Sequence, residues 1–402
     1  MSLFPSLLTV TFNGHSDILV TRTITHRLGR RFSIARMEEM DAMLEKVVQG
    51  VLPPAMLKAI ALNVQAIDPF GRLLNWLAGA CLNGSSAVIF FNGSWQGSLV
   101  AFFVGFVVAG LWALLAVRFE GVGLLMGPGV SFCAGFLIRV ACVLNLLARD
   151  CISGTHLASV ITFAPGLVLA ISSLELASNS IVSGASRLIA ALFVAFSIGI
   201  GLNMGNELAA LFDPVTFSGS NNAICVEVSK WWWGFAFPVA FVSLVILLDA
   251  PAKKWLLMSV PAAFAFFSMF GLSFIKLSGR VKLSLLFLFF SSRLSLVAHS
   301  FLLLLSTAIV ALTIGLLASL YSSIVKSPPS TFIYAGIVFI VPGSLAISVL
   351  HQEQVGFGVT SFGFAFLDVA ISVAIGLLIA SVPRFHRHRR EKEGYVGVSS
   401  LV

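Results

Sequence analysis

The sequence predicts an all-α integral membrane protein. About ten transmembrane helices form two inverted five-helix repeats, behind a small N-terminal cytoplasmic α/β segment. Three observations predict this. Of the 402 residues, 58% are hydrophobic and only 10% are charged. A soluble domain carries about 45–50% apolar and about 25% charged residues, so this much apolar surface cannot be hidden in a soluble fold. At about 20 residues per span the apolar runs supply roughly ten helices. Two Pro-Gly breaks then fall at corresponding places in the two halves, at Pro165-Gly166 and Pro342-Gly343. The excess of Phe (36) over Tyr (3) suits lipid-facing side chains, because a hydroxyl in hydrocarbon needs a partner.

The chain divides into five parts. Residues 1–72 form the N-terminal segment. Alternation around Leu7, Thr9 and Phe12, and again around Ile18, Val20 and Thr21, predicts two short strands. A helix from Ile34 to Gln49 places Met40, Met43, Leu44, Val47 and Val48 on one face and its acids elsewhere. Gly50 ends it, and Pro53-Pro54 opens a second helix. Met-Ser-Leu-Phe-Pro has no basic flank before an apolar core, so no cleaved signal peptide is expected.

The first repeat, 73–205, holds spans at 73–91, 96–117, 127–147, 155–175 and 183–205. A polar loop, 206–232, contains Asp213-Pro214 and Ser218-Gly-Ser-Asn-Asn222. The second repeat, 233–383, holds spans at 233–249, 254–272, 297–322, 331–350 and 361–381. The apolar piece Leu283–Phe290 is too short to cross alone and either dips in as a re-entrant element or crosses with its neighbours, which would change the span count and separate the termini. A basic tail, 384–402, closes the chain.

Charge placement sets the orientation. The net charge is +8, but the basic residues sit at the ends of spans and in the terminal segments rather than on one face, which excludes a nucleic-acid surface. The positive-inside rule puts both termini in the cytoplasm, with Arg118, Arg187, Lys253, Lys254 and Lys326, and the 206–232 loop outside. Lys276, Arg280, Lys282 and Arg293 run against this pattern. Cys81, Cys133, Cys142, Cys151 and Cys225 form no CxxC pair and no zinc spacing, and read as isolated thiols. Asn83-Gly-Ser and Asn92-Gly-Ser match the glycosylation pattern, but one falls inside a span and the other in a very short loop. No HExxH, GxSxG or paired-Asp motif occurs, so no enzyme chemistry, metal site or cofactor is expected.

The repeat carries the functional reading. Phe163-Ala-Pro-Gly-Leu-Val-Leu-Ala-Ile-Ser172 resembles Phe339-Ile-Val-Pro-Gly-Ser-Leu-Ala-Ile-Ser348. Ala195-Phe-Ser-Ile-Gly-Ile-Gly-Leu202 resembles Ala370-Ile-Ser-Val-Ala-Ile-Gly-Leu377. Five spans per unit is odd, so the second unit must be upside down. Inverted repeats with Pro/Gly-interrupted helices point to secondary transporters and their binding sites. Pro gives up a helix hydrogen bond and Gly lets the chain bend. The freed backbone groups must then meet protein, water or a solute. Candidate substrate contacts are Pro165, Gly166, Ser172, Arg187, Pro342, Gly343, Ser344 and Ser348, with Asn145, Thr162 and Asn203 as further polar groups.

Charges inside spans are costly and mark function. Glu175 either exchanges a proton or pairs with Arg187. Arg187 either holds a carboxylate by its planar fork or anchors the inner end of its helix. Asp368, alone in an apolar run, either keeps its proton or finds a buried cation. Arg139 is a plausible partner unless it snorkels. These three, Glu175, Asp368 and Arg139, are the proton-coupling candidates. His156 and His299 are packing residues or titrating groups.

In order along the chain, several stretches resemble the threonine/serine exporter family and its fungal and protist relatives. They are Pro5–Phe12, Met37–Gly50, Phe90-Phe-Asn-Gly-Ser-Trp95, Pro165-Gly166 with Glu175, Ser183-Gly184 and Arg187, Ala318-Ser-Leu-Tyr-Ser322, and Val341-Pro-Gly-Ser344. The resemblance covers most of the chain. It implies a ten-helix carrier that exports small polar amino acids, driven by the proton gradient, with the bilayer as its other partner and a homodimer left open. It also shows departures. The acid usually Asp in the family is Glu175, the family's Asn and Arg around Ala318–Ser322 are replaced, and further N-terminal amphipathic helices are not seen. A passive channel or a non-transporting scaffold is the competing reading.

Overall fold

The computed structural model describes residues 2–4, 7–12, 22–27, 33–51, 69–118, 126–148, 151–177, 181–212, 226, 228–274, 294–325, 332–341 and 367–381. The expected helix after Pro53-Pro54, the 283–290 piece, Cys225, Pro342, Gly343, Ser344, Ser348 and the basic tail lie outside them.

Three strands open the chain where alternation predicts two. β1 (Ser2–Phe4), β2 (Leu7–Phe12) and β3 (Arg22–Arg27) pair antiparallel in that order, with Thr9 opposite both Ser2 and Thr25. A three-residue strand is too short for a period of two to register, which is why β1 escapes the pattern. Helix α1 (Ile34–Val48) follows. Its first N–H groups, which no helix can satisfy internally, donate to a distant turn: Ile34 to Leu248 O at 2.9 Å and Ala35 to Asp249 O at 3.2 Å. Lys254 Nζ donates to Glu38 Oε1 at 2.6 Å and ties the same two pieces.

The apolar part is helical. It comprises α2 (Arg72–Ile89), α3 (Trp95–Arg118), α4 (Met126–Val143), α5 (Ile152–Val160), α6 (Gly166–Ala177) and α7 (Ile181–Ala210). Then come α8 (Trp233–Leu247), α9 (Trp255–Phe274), α10 (Leu294–Val325), α11 (Phe332–Val341) and α12 (Leu367–Ser381). Among the described residues, three helices are long and apolar enough to cross a bilayer alone: Ile181–Ala210, Lys230–Leu247 and Leu304–Tyr321. A fourth span forms if Ile152–Phe163 and Gly166–Ser173, bent by 62°, count together. Trp95–Leu111, Gly127–Val143, Phe332–Val341 and Leu367–Ser381 are shorter apolar helices. The protein is a helical, multi-pass membrane protein.

Helix α7 overruns its expected end. Asn206 and Glu207, predicted to open the polar loop, are helical, because the packed face continues through Gly205 and Ala209, both buried. Asn145, a candidate substrate contact, instead terminates α4. It adopts φ 57°, and Leu146 N returns to Ala141 O at 2.9 Å. Asn92 (φ 47°) and Asp249 (φ 49°) stand just beyond α2 and α8 in the same left-handed conformation, which short polar side chains tolerate.

Helices α2 and α8 pack on each other antiparallel. The start of α2 meets the end of α8, with the Phe70 and Trp255 rings 6.2 Å apart. The end of α2 meets the start of α8, where Val228 N donates to Gly93 O at 3.3 Å.

Small residues set the closest helix contacts. A Cβ on Gly201 would fall 2.4 Å from Pro128 O, and one on Gly205 2.1 Å from Phe132 O. These two glycines, four apart on α7, let its backbone meet α4 directly. From the other side, a Cβ on Gly135 would fall 2.3 Å from Leu202 O. Helices α10 and α12 repeat the arrangement. A Cβ on Gly376 would fall 2.3 Å from Ala308 O, and one on Gly315 2.5 Å from Ala380 Cβ and 3.4 Å from Leu377. Gly201, Leu202 and Gly205 of α7 correspond to Gly376, Leu377 and Ala380 of α12, while Pro128, Ser131 and Gly135 of α4 correspond to Ala308, Ala311 and Gly315 of α10.

Gly205→Leu should therefore force α4 and α7 apart, at a cost of about 1–3 kcal/mol or more. The expected outcome is a Tm several degrees lower in detergent, or loss of the monodisperse species. Gly110→Ala, where nothing lies within 4 Å, should leave Tm unchanged. Equal melting of the two variants would refute the packing assignment.

Candidate functional site

The site begins with the break in the span formed by α5 and α6. Helix α5 ends at Val160, tightens into a 3-10 turn over Ile161–Phe163, and gives way to extended backbone at Ala164 (φ −64°, ψ 129°). Pro165 dictates this, because its ring disfavours helical backbone at the residue before it. Helix α6 then restarts at Gly166, with Leu169 N returning to Pro165 O at 2.9 Å. The break leaves helix-end carbonyls on one side and the first N–H groups of α6 on the other. No acid occupies the first turn of α6, so the positive end of that helix dipole keeps its charge.

Polar side chains gather beside the break. Asn83, 1% exposed in the middle of α2, donates from Nδ2 to Ser159 O at 2.8 Å. Thr162 Oγ1 donates to Asn83 Oδ1. Gly79 and Gly105 make room: Gly79 O lies 3.4 Å from Thr162 Oγ1, and a Cβ on Gly105 would collide with the Asn83 amide. The amide of Asn83 thus uses both ends to hold α2 against the turn that precedes the break. Buried in a span, it cannot serve as a glycosylation acceptor.

Pro342-Gly343 follows α11 in the sequence and lies outside the described residues. Three residues before Pro342, Phe339 packs on Phe237 of α8 at 5.3 Å and on Phe90 at the end of α2 at 6.4 Å. Three residues before Pro165 stands Thr162. Residues three before each Pro-Gly step thus touch the α2 region, Thr162 at Asn83 and Phe339 at Phe90. Their contact residues, Gly79–Asn83 and Phe90, are separated by roughly 10–16 Å of helix at 1.5 Å per residue.

Glu175 and Arg187 meet. Arg187 Nη1 donates to Glu175 Oε1, and Ser183 Oγ donates to Glu175 Oε2 at 2.9 Å. The two side chains are 23% and 26% exposed, so the pair is neither deeply buried nor fully solvated. It closes the hairpin between α6 and α7, where a Cβ on Gly184 would fall 2.7 Å from Leu176 N. Of the two alternatives for Glu175, the structure shows the ion pair.

The remaining candidates are dispersed. Ser172 is fully buried and gives its hydroxyl to Leu169 O within its own helix at 2.9 Å. Arg139 is 6% exposed in α4, with His156 of α5 near its charge. His156 lies close to the Gly135 backbone of α4. Asp368 is exposed in the first turn of α12, its carbonyl accepting from Ser372 Oγ at 2.9 Å. The side chain of His299 lies outside the described residues. Among the described residues no cluster of three or more His, Cys, Asp or Glu could hold a metal.

Sequence reasoning named Thr162 but missed Asn83, which it weighed only as a glycosylation acceptor. The available signal was an Asn inside an apolar run with Gly79 and Gly84 on either side of it.

Comparison with known proteins places the chain. A family model described as "Putative threonine/serine exporter" matches residues 1–209, just over half the chain. Relatives include an uncharacterized protein of Schizosaccharomyces pombe, 22% identical over 93% of this chain and 45% of that protein. The pheromone-regulated membrane protein 10 of Eremothecium gossypii is 25% identical over 73% of this chain and 38% of its own length. The protein of the same name in Saccharomyces cerevisiae S288c is 22% identical over 89% of this chain and 91% of its own length. The chain thus spans less than half the length of the first two of these relatives. No solved structure matches. The chain belongs to the threonine/serine exporter family.

The Glu175–Arg187 pair makes a double-mutant prediction. Glu175→Gln and Arg187→Met should each lower Tm, and the double variant should lose less than their sum, with a coupling of about 1 kcal/mol. Strict additivity in detergent melting curves would show that the pair contributes nothing.

Proposed function

We propose that this membrane protein is a secondary active carrier that exports small polar amino acids of the threonine or serine kind, coupled to the proton gradient. The observation that carries this reading is the 62° break at Ala164–Pro165, placed against the buried Asn83–Thr162–Ser159 network. A zwitterion needs both signs of partner at once. Helix-end carbonyls before the break suit its ammonium group. The N–H groups and dipole at the start of α6 suit its carboxylate. The hydroxyl of Thr162 and the amide of Asn83 suit a side-chain hydroxyl.

Architecture supports the same reading. Ten spans in two inverted halves demand that the first helices of the halves run antiparallel, as α2 and α8 do. They also demand that third and fifth helices pair alike in both halves. The matched close approaches of α4 with α7 and of α10 with α12 meet that demand. Pro165 and Gly166 then form one side of the substrate path, and Pro342, Gly343, Ser344 and Ser348 the other. Asp368 and Arg139 remain the proton-coupling candidates. Glu175 joins them only if its pair with Arg187 opens during the cycle, which would also free Arg187 for a carboxylate. The three strands and α1 form a cytoplasmic cap held to the α8–α9 turn.

Proteoliposomes loaded with labelled serine or threonine test this directly. The expected result is saturable efflux that rises with an imposed pH gradient and is blocked by excess unlabelled substrate. Asn83→Ala and Thr162→Val should each cut the rate at least tenfold, while Ser172→Ala should leave it within twofold. Unsaturable, gradient-independent conductance would instead identify a channel. No flux of any small amino acid would identify a scaffold.

A further inference from the structure

We propose that an anionic phospholipid headgroup binds at the corner where α2 and α9 begin, held by Arg72, Lys253 and the open N-terminus of α2. The site requires only that the chain lies in a membrane and is independent of what the protein carries.

Phe70 and Trp255 fix the corner. Their rings, 6.2 Å apart, bring the start of α2 to the first residue of α9. Trp255 spends its indole N–H on Ala250 O at 3.0 Å, which holds the ring in place. Arg72 and Lys253 each stand two residues from one of these rings, and both are exposed. Among the described residues neither has an acidic partner. Lys254 differs, because Glu38 takes its ammonium at 2.6 Å. The acid of the same turn, Asp249, is buried at 1% exposure. Helix α2 opens at Gly71 with no side-chain cap and no acid in its first turn. Its first N–H groups have no partner within the helix, and the positive end of its dipole is uncompensated. A Cβ on Gly71 would meet nothing within 4 Å, so an anion has open access to this helix end.

The surface around the cations sets their depth. Leu73 and Leu77, 70% and 45% exposed, line the outside of α2, and Leu256 and Val260, 84% and 54% exposed, line the outside of α9. Such surface lies against acyl chains. Helix α2 has 18 residues, about 27 Å at 1.5 Å per residue, against a hydrocarbon core of about 30 Å. Beyond its far end Trp95 and Trp232, half-exposed with rings 5.3 Å apart, mark one membrane–water boundary. Arg72 therefore stands at the other boundary, at headgroup depth. Two cations and an uncapped helix start, above an apolar flank, match a phosphodiester and the tails beneath it. A phosphatidylcholine headgroup brings its own cation, which the pair repels. A headgroup of net negative charge does not, so the corner selects anionic lipid.

Native mass spectrometry of the full-length protein, delipidated in detergent, tests the site. In separate titrations phosphatidylserine should bind more tightly than phosphatidylcholine. Arg72→Gln and Lys253→Gln should each weaken phosphatidylserine binding about fivefold and leave phosphatidylcholine binding unchanged, while Arg72→Lys should keep most of the preference. Lys46→Gln removes the same charge about two turns of α1 beyond Glu38 and should change nothing. All these side chains are on the surface, so every variant should elute as the wild type does in size exclusion. Equal affinity of the wild type for the two lipids, or undiminished phosphatidylserine binding by the variant carrying both Arg72→Gln and Lys253→Gln, would overturn the site. An equal loss in Lys46→Gln would reduce the effect to net charge and overturn it as well. Displacement of phosphatidylserine by millimolar inorganic phosphate would make the corner a free-anion site and overturn the lipid assignment.

Discussion

Hydrocarbon offers no hydrogen bonds, and that constraint governs the whole membrane domain. Most of the chain answers it by keeping its backbone in unbroken helix. At Ala164–Pro165 the answer fails locally, since Pro cannot donate and forces its predecessor out of helix. The structure compensates with side chains. Asn83 reaches across from α2 to the carbonyl of Ser159, one turn before the break, and accepts from Thr162 in the 3-10 turn itself. Gly105 holds no side chain where that amide needs space. The break is thus a built feature, with the Ser159 carbonyl and the Thr162 hydroxyl met by Asn83.

The same solvent makes helix association depend on shape. Lipid is as apolar as leucine, so helices gain little by hiding side chains from it and more by close packing. That is why Gly201, Gly205 and Gly135 press α7 against the carbonyls of α4, and why Gly376, Gly315 and Ala380 do the same for α12 and α10. The correspondence matters beyond stability. The small residues stand at equivalent positions of the two helix pairs, and at Gly201, Gly205, Gly135 and Gly376 an added Cβ would collide with a backbone oxygen rather than with a side chain that can move.

The spans were legible because hydropathy and length report directly on them: the runs at 96–117 and 127–147 lie within one to four residues of the bounds of α3 and α4. The broken span was legible because Pro165 acts locally, on its own ring and the residue before it. Three features were not. Asn83 reads only as an unused sequon inside a span, since nothing local says that Thr162, 79 residues on, will face it. Cys151 reads as an isolated thiol but is disulfide-bonded, and such a bond depends on how the chain folds, not on spacing. The pairing of Glu175 with Arg187 was one of two open readings, and the hairpin between α6 and α7 decides it. Asn145 has a local role that the sequence pattern did not single out: it adopts the left-handed conformation in the turn that ends α4.

Pseudo-symmetry also exposes where the halves differ, and that difference bears on how a carrier would work. At the position three residues before each Pro-Gly step, the first half has Thr162 bonded to a buried amide and the second has Phe339 packed between Phe237 and Phe90. Among the described residues, the contact before the first Pro-Gly step is polar and the contact before the second is aromatic. A guest held only by rigid polar partners would bind and stay. A polar wall facing an aromatic wall can hold it while leaving one side free to slide, because ring-on-ring contacts lose little when they shift by an ångström whereas hydrogen bonds lose much. In the proposed carrier, the contact at Phe339 would be the one suited to slide and the contact at Thr162 the one suited to recognise.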